Sequence, residues 1–139
     1  MRFGDAQIAA TCDLSREGIA AALEKTLSDA GVPAIPVDQA KPPAFDVARI
    51  DLVPEVFSFN DGGLDCTSWV DLSAESHENL HIAPVGAPRA VTVDYWRQGL
   101  LLESGETQHE QAVEGAFQKL ATRFAESYRR AQPPKLPGQ

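Results

Sequence analysis

The sequence predicts an α+β fold: a two-layer sandwich in which a mostly antiparallel, four- or five-stranded sheet carries two helices on one face. Two observations predict it. Amphipathic helical stretches at about residues 16–30 and 108–131 bracket the chain, and the long block between them alternates apolar with polar residues. A third observation sets the strand direction, because turn residues punctuate that block at hairpin spacing.

Taken in order, Asp5 to Cys12 places Ala6, Ile8, Ala10 and Cys12 on alternate positions, which predicts a short strand. Ser15 is a suitable N-cap for the first helix, and Leu14 before it can staple onto Ile19. Ile19, Ala22, Leu23, Leu27 and Ala30 form its apolar stripe, and Gly31 before Val32-Pro33 stops it. Residues 33–45 hold four prolines and read as a surface connection. In 46–59 the apolar alternation changes phase near Pro54, which predicts a bulge or an edge position there. Asn60-Asp61-Gly62-Gly63 is a hairpin turn.

Beyond that turn, Leu64, Cys66, Val70 and Leu72 alternate with Asp65, Thr67, Trp69 and Asp71. A loop is expected over 76–89. Val91, Val93 and Tyr95 then alternate with Thr92, Asp94 and Trp96, and Gly99 marks an expected bulge before Leu100–Leu102. Thr107-x-x-Glu110 reads as a capping box for the last helix. Its stripe runs through Val113, Ala116, Phe117, Leu120, Ala121, Phe124 and Tyr128. Both helices are expected on the sheet face lined by Leu64, Cys66, Val70, Val91, Val93 and Tyr95, leaving the other face polar. Residues 1–132 are expected to form a single domain and 133–139 a disordered Pro-rich tail.

Composition narrows the function classes. The 139 residues are 43% hydrophobic and 23% charged, as in an ordinary globular domain. Twelve Lys+Arg against 20 Asp+Glu leave a formal charge of −8. Phosphate binding by counterion release needs clustered cations, so nucleic acid is not the expected partner. Anionic lipid is disfavoured for the same reason. No apolar stretch reaches the roughly 20 residues of a membrane helix, so no membrane insertion is expected.

Cys12 and Cys66 fit no zinc or redox spacing. On the predicted strands both point to the apolar face, so they are either a disulfide or two buried thiols. A bridge would close a loop of about 54 residues and stabilise the fold by about 4 kcal/mol in the chain-entropy model. The abrupt opening Met1-Arg2-Phe3-Gly4 is what a mature fragment would show if a leader had been removed, and a periplasmic or secreted location is the expectation.

Two constellations could carry function. The first is the polar sheet face, where Trp69 and Asp71 on one strand and Asp94 and Trp96 on the next would lie side by side. A Trp beside carboxylates supplies a large apolar area with one donor, suited to anchoring a protein or stacking on a sugar. The second is His77-Glu78-Asn79-Leu80-His81, an H-E-x-x-H match. On a helix its two histidines stand one turn apart and can both ligate zinc.

Those five residues resemble the active-site motif of the zincin metalloproteases, and the resemblance extends no further along the chain. It implies His77 and His81 as zinc ligands and Glu78 as general base, with a third ligand from His109, Glu106 or Glu110. The competing reading is a polar loop that spells the motif by chance, since Pro84 soon ends any helix and the apolar stripe there is thin.

The leading expectation is a non-catalytic envelope or secreted accessory module, without a cofactor, that presents the Trp/Asp face to a protein partner. Its architecture is similar to that of small envelope proteins that assist transport or assembly complexes. The alternatives are a small zinc-dependent metallopeptidase using the HENLH motif and a glycan-binding module on the Trp face.

Overall fold

The computed structural model describes residues 2–3, 12–34, 50–60, 62–81, 83–84 and 86–132. The strand expected over residues 5–12 and the proline-rich connection lie largely outside these, and the tail at 133–139 lies wholly outside. The fold is α+β. Its elements are β1 (Arg2–Phe3), α1 (Arg16–Asp29), β2 (Asp51–Asn60), β3 (Asp65–His81), β4 (Pro88–Gly105) and α2 (Glu106–Ala131). β2, β3 and β4 form an antiparallel meander, and β1 adds two residues in parallel to β2.

The first helix is built as its sequence predicts. The Ser15 hydroxyl accepts from Gly18 N–H at 3.1 Å, satisfying one of the free donors of the first turn. At the other end Gly31 takes φ +72°, a conformation glycine adopts without steric penalty. Gly31 N–H then donates to Ser28 and Val32 N–H to Leu27, closing a Schellman motif. The predicted capping box on α2 is not formed. That helix starts at Glu106 rather than near 108, its N-cap is Gly105, and no side chain caps it. Its start is held instead by Glu106 N–H donating to the Leu64 carbonyl at 2.8 Å. Glu110, freed from capping, accepts from Ser15 N–H at 3.1 Å and ties the beginnings of the two helices together.

One cluster joins the helices to the sheet. Ile19, Leu23 and Leu27 of α1 and Val113, Phe117, Leu120 and Phe124 of α2 bury against Val56, Val70, Leu72 and Ala74. α2 lies against β3 and β4, whereas α1 packs chiefly on α2. The expected arrangement, with both helices lying on the sheet, therefore differs in that α1 docks mainly through its neighbour. Leu64, expected on the core face, is 80% exposed in the bend before β3.

Cys12 and Cys66 form a disulfide, with α-carbons 6.1 Å apart, which pins the segment before α1 to the start of β3. Beside it runs a buried polar chain. His109 of α2 is fully buried, hydrogen-bonded through Nε2 to Ser68 (2.6 Å) and through Nδ1 to Ser104 (2.7 Å). Ser68 bonds in turn to Ser58 at 2.7 Å, so three strands and a helix share one satisfied network. Burial lowers the His109 pKa, because the charged imidazolium would lose its hydration.

At three places the strands meet or depart from expectation. β2 runs through Pro54 with unbroken register against β3, so of the two options there the bulge is absent. Among the described residues β1 pairs only with Glu55 and Val56, which leaves Pro54 at an edge position. The loop expected at 76–89 is mostly strand, since β3 continues to His81 and β4 begins at Pro88. The bulge expected at Gly99 lies at Tyr95 instead. Ala74 pairs with Trp96 and Glu75 with Asp94, leaving Tyr95 as the extra residue. One extra residue exchanges the faces of everything that follows, which decides the composition of the candidate site.

Candidate site on the open face of the sheet

Before the bulge, Asp94 lies on the open face, away from the helices, as expected. After it the phase reverses. Trp96 turns inward and packs edge-on against Phe124, ring centroids 5.4 Å apart, so it is not beside Trp69. Tyr95, expected in the core, is 57% exposed. Of the four expected binding residues, Trp69, Asp71 and Asp94 share the open face and Trp96 does not.

Trp96 is replaced by residues that the alternation count concealed. Phe57 pairs with Trp69, and Trp69 with Leu101, forming a transverse row across β2, β3 and β4. Phe59 lies two residues along β2 on the same side. All four are exposed: Phe57 41%, Phe59 60%, Trp69 41% and Leu101 68%. They are neighbours in register, so their exposure forms one patch rather than scattered surface apolar residues.

Gly99 belongs to this patch. The six-membered ring of the Trp69 indole occupies the space directly above it, where a β-carbon would overlap the ring. Gly99 is diagonal to Trp69 across the β3–β4 ladder, so the ring spans a cross-strand diagonal and leaves its remaining surface to solvent. The glycine thus serves close approach rather than a bulge.

Next to the apolar row stands an ionic cluster. Arg97, brought to the open face by the bulge, donates from Nε to Asp71 (2.7 Å) and from Nη2 to Glu55 (3.1 Å). Its Nη1 lies 3.6 Å from Asp94. Asp71 is 2% exposed and Glu55 7%, so these carboxylates are anchored in the sheet while Arg97 remains half-exposed. The Asp71 hydrogen bond, and then the charges of Asp71, Glu55 and Asp94, raise the Arg97 pKa and keep the guanidinium charged. Glu75 accepts from Ser73 at 2.6 Å on the same face. The cluster fixes these side chains beside the patch.

The HENLH segment lies in β3 rather than on a helix. Successive strand residues point to opposite faces, so His77 and Glu78 diverge. His77 and His81 share a face but stand about 13 Å apart along the strand, too far for one zinc ion held at about 2 Å from each nitrogen. His77 bonds instead to Thr92 (3.2 Å) and approaches Asp51 (3.8 Å). Glu78 accepts from Ser76 (2.6 Å) and Tyr95 (2.7 Å), and these bonds hold its carboxyl below the usual range, the wrong direction for a general base. His109 and Ser68 are buried on the helix side, with Ser104 partly buried beside them. Among the described residues no group of three or more His, Cys, Asp or Glu is placed to hold a metal ion, and no helix is long and apolar enough to cross a membrane.

Two open depressions lie elsewhere, one beside Gly31 at the end of α1 and one along α2 by Lys119 and Arg123. Neither contains a histidine, a cysteine or a pair of carboxylates. The chain matches no family model, no curated protein and no solved structure.

Proposed function

We propose that this protein is a non-catalytic interaction module whose open sheet face receives a protein partner. The observation that supports this reading most is the exposed row Phe57–Trp69–Leu101 with Phe59 beside it. Aromatic anchors ringed by fixed polar groups are the usual makings of an interface centre, and Asp71, Asp94 and Arg97 supply the rim. The disulfide supports a periplasmic or secreted setting, where thiols are oxidised.

A second reading, a glycan-binding module on the same face, is favoured by one feature. Trp69 rests over Gly99 with much of its ring uncovered, a platform on which a sugar ring could stack.

Affinity capture from the source cell's envelope fraction, compared between the native chain, Trp69→Ala with Phe57→Ser, and the solvent-facing control Lys25→Ala, tests the first reading. The expected result is a protein retained by the native chain and the control and lost by the double variant. Retention by all three would place the interface elsewhere. A glycan-array signal lost with Trp69→Ala alone would favour the second reading.

A further inference from the structure

The two halves of β4 differ in how they treat their outer edge. β4 has β3 on one side and, among the described residues, no strand on the other. Its first half carries devices that discourage edge pairing: Pro88, Arg89 and the bulge at Tyr95. From Trp96 to Gly105 the register is unbroken, and the centre of that stretch is Gln98-Gly99-Leu100-Leu101-Leu102, without charge or proline. An apolar, regular edge of this length is a template for another strand.

We propose that the occupant is a second copy of this chain, paired antiparallel along β4 about a two-fold axis at Leu101. Three properties of the strand select this partner and register. A two-fold perpendicular to the sheet keeps both helical layers on one side and requires opposed residues to share a face, so the axis must fall on a residue.

With the axis at Leu101, leucine meets leucine throughout: Leu101 opposes its own copy, and Leu100 opposes Leu102 in both directions. Gln98 opposes Ser104, and the small Gly99 opposes Glu103. Arg97 and Glu103 become diagonal neighbours across the seam, twice, and no like charges are opposed. An axis at Leu100 would instead oppose Leu102 to Gln98 and Leu101 to Gly99.

The same register joins the two open faces. Phe57, Trp69 and Leu101 form one transverse row in each copy, so pairing at Leu101 continues that row through both protomers as Phe57–Trp69–Leu101–Leu101–Trp69–Phe57. The 68% exposed Leu101 becomes the middle of an apolar strip rather than its ragged end. The dimer does not depend on the protein-binding reading. It would turn one patch into a doubled, symmetric surface.

Sedimentation velocity of the full chain across the micromolar range tests the proposal, together with three variants. The native chain should dimerise reversibly. Leu101→Lys, which opposes two cations on the axis, should weaken the dimer roughly tenfold or more. Phe59→Lys, on the patch but away from the edge, should leave it unchanged. Leu101→Cys under mild oxidation should give a covalent dimer with the Cys12–Cys66 bridge intact.

A native chain that remains monomeric overturns the proposal. So does a dimer that survives Leu101→Lys, one that Phe59→Lys abolishes (which would signal face-to-face stacking), or one in which Leu100→Cys cross-links in preference to Leu101→Cys. Circular dichroism of each variant separates lost pairing from lost folding.

Discussion

The two faces of the sheet use the same strands for opposite ends. On the helix side, Val56, Val70, Leu72 and Ala74 are almost fully buried, and Ser58, Ser68 and His109 form a hydrogen-bonded chain in which Ser68 links the other two. On the open side the large side chains Phe57, Phe59, Trp69 and Leu101 stay exposed, while the small or acidic Asp71, Ser73 and Glu75, further along β3 on the same face, are buried. A sheet stabilised only by its core would not need aromatic residues on its solvent face. They stand in one row, and Gly99 leaves the space that the Trp69 indole occupies.

The contrast makes graded predictions. The largest effect should come from the core: Phe117→Ala is expected to lose about 3–5 kcal/mol of unfolding free energy in a urea titration, from lost transfer energy and a cavity. Phe59→Ala, of the same chemistry on the open face, should change it by only about 0.5 kcal/mol. Similar losses for the two would erase the distinction between the faces.

Arg97→Ala should come next, at about 1–3 kcal/mol, because it leaves Asp71 and Glu55 without their shared cation. The value stays below that of a fully buried pair because Arg97 is half-exposed and water screens it. If Arg97→Ala is neutral, the ionic cluster is a surface arrangement and not a support for the patch.

Gly99→Ala probes the Trp69 seat directly. The added methyl group must displace the indole, for an expected loss of about 1–2 kcal/mol. In a Trp96→Phe background the fluorescence of Trp69 should shift to the red, and an unmoved spectrum would contradict the seating.

The smallest effect concerns pH and belongs to the helix side. His109 has a folded-state pKa below its unfolded value of 6.5, so the unfolded chain binds the additional proton. Its contribution to stability is therefore complete above the unfolded value and declines as pH falls through that value toward the folded one. His109→Gln should be less stable than the native chain at neutral pH, and the gap should narrow on acidification. A gap that does not change with pH would mean that His109 titrates alike in both states.

Much of this architecture was legible from local patterns. Ser15, Gly31 and the stripe from Val113 to Tyr128 act on the helix they flank or line, and Asn60 accepts locally from Gly62 N–H at 2.8 Å. The Cys12–Cys66 pairing was one of two options that the cysteine positions allowed. The site was less legible. Phe57 and Phe59 share a phase with Asp51 and Glu55, which could have marked them as solvent-facing, but the apolar Val53 in that same phase masked the signal.

Composition and periodicity by themselves determined an α+β chain with two helices around an antiparallel block, because both act over a few residues of backbone. Tertiary structure decided which side of the sheet each residue of β4 faces. A bulge is a property of two paired strands, where one residue of β3 meets two of β4, and no pattern within β4 distinguishes Tyr95 from Gly99 as its place. That one-residue slip moved Trp96 into the core, brought Arg97 onto Asp71, and set Leu101 beside Trp69 at the edge of the sheet.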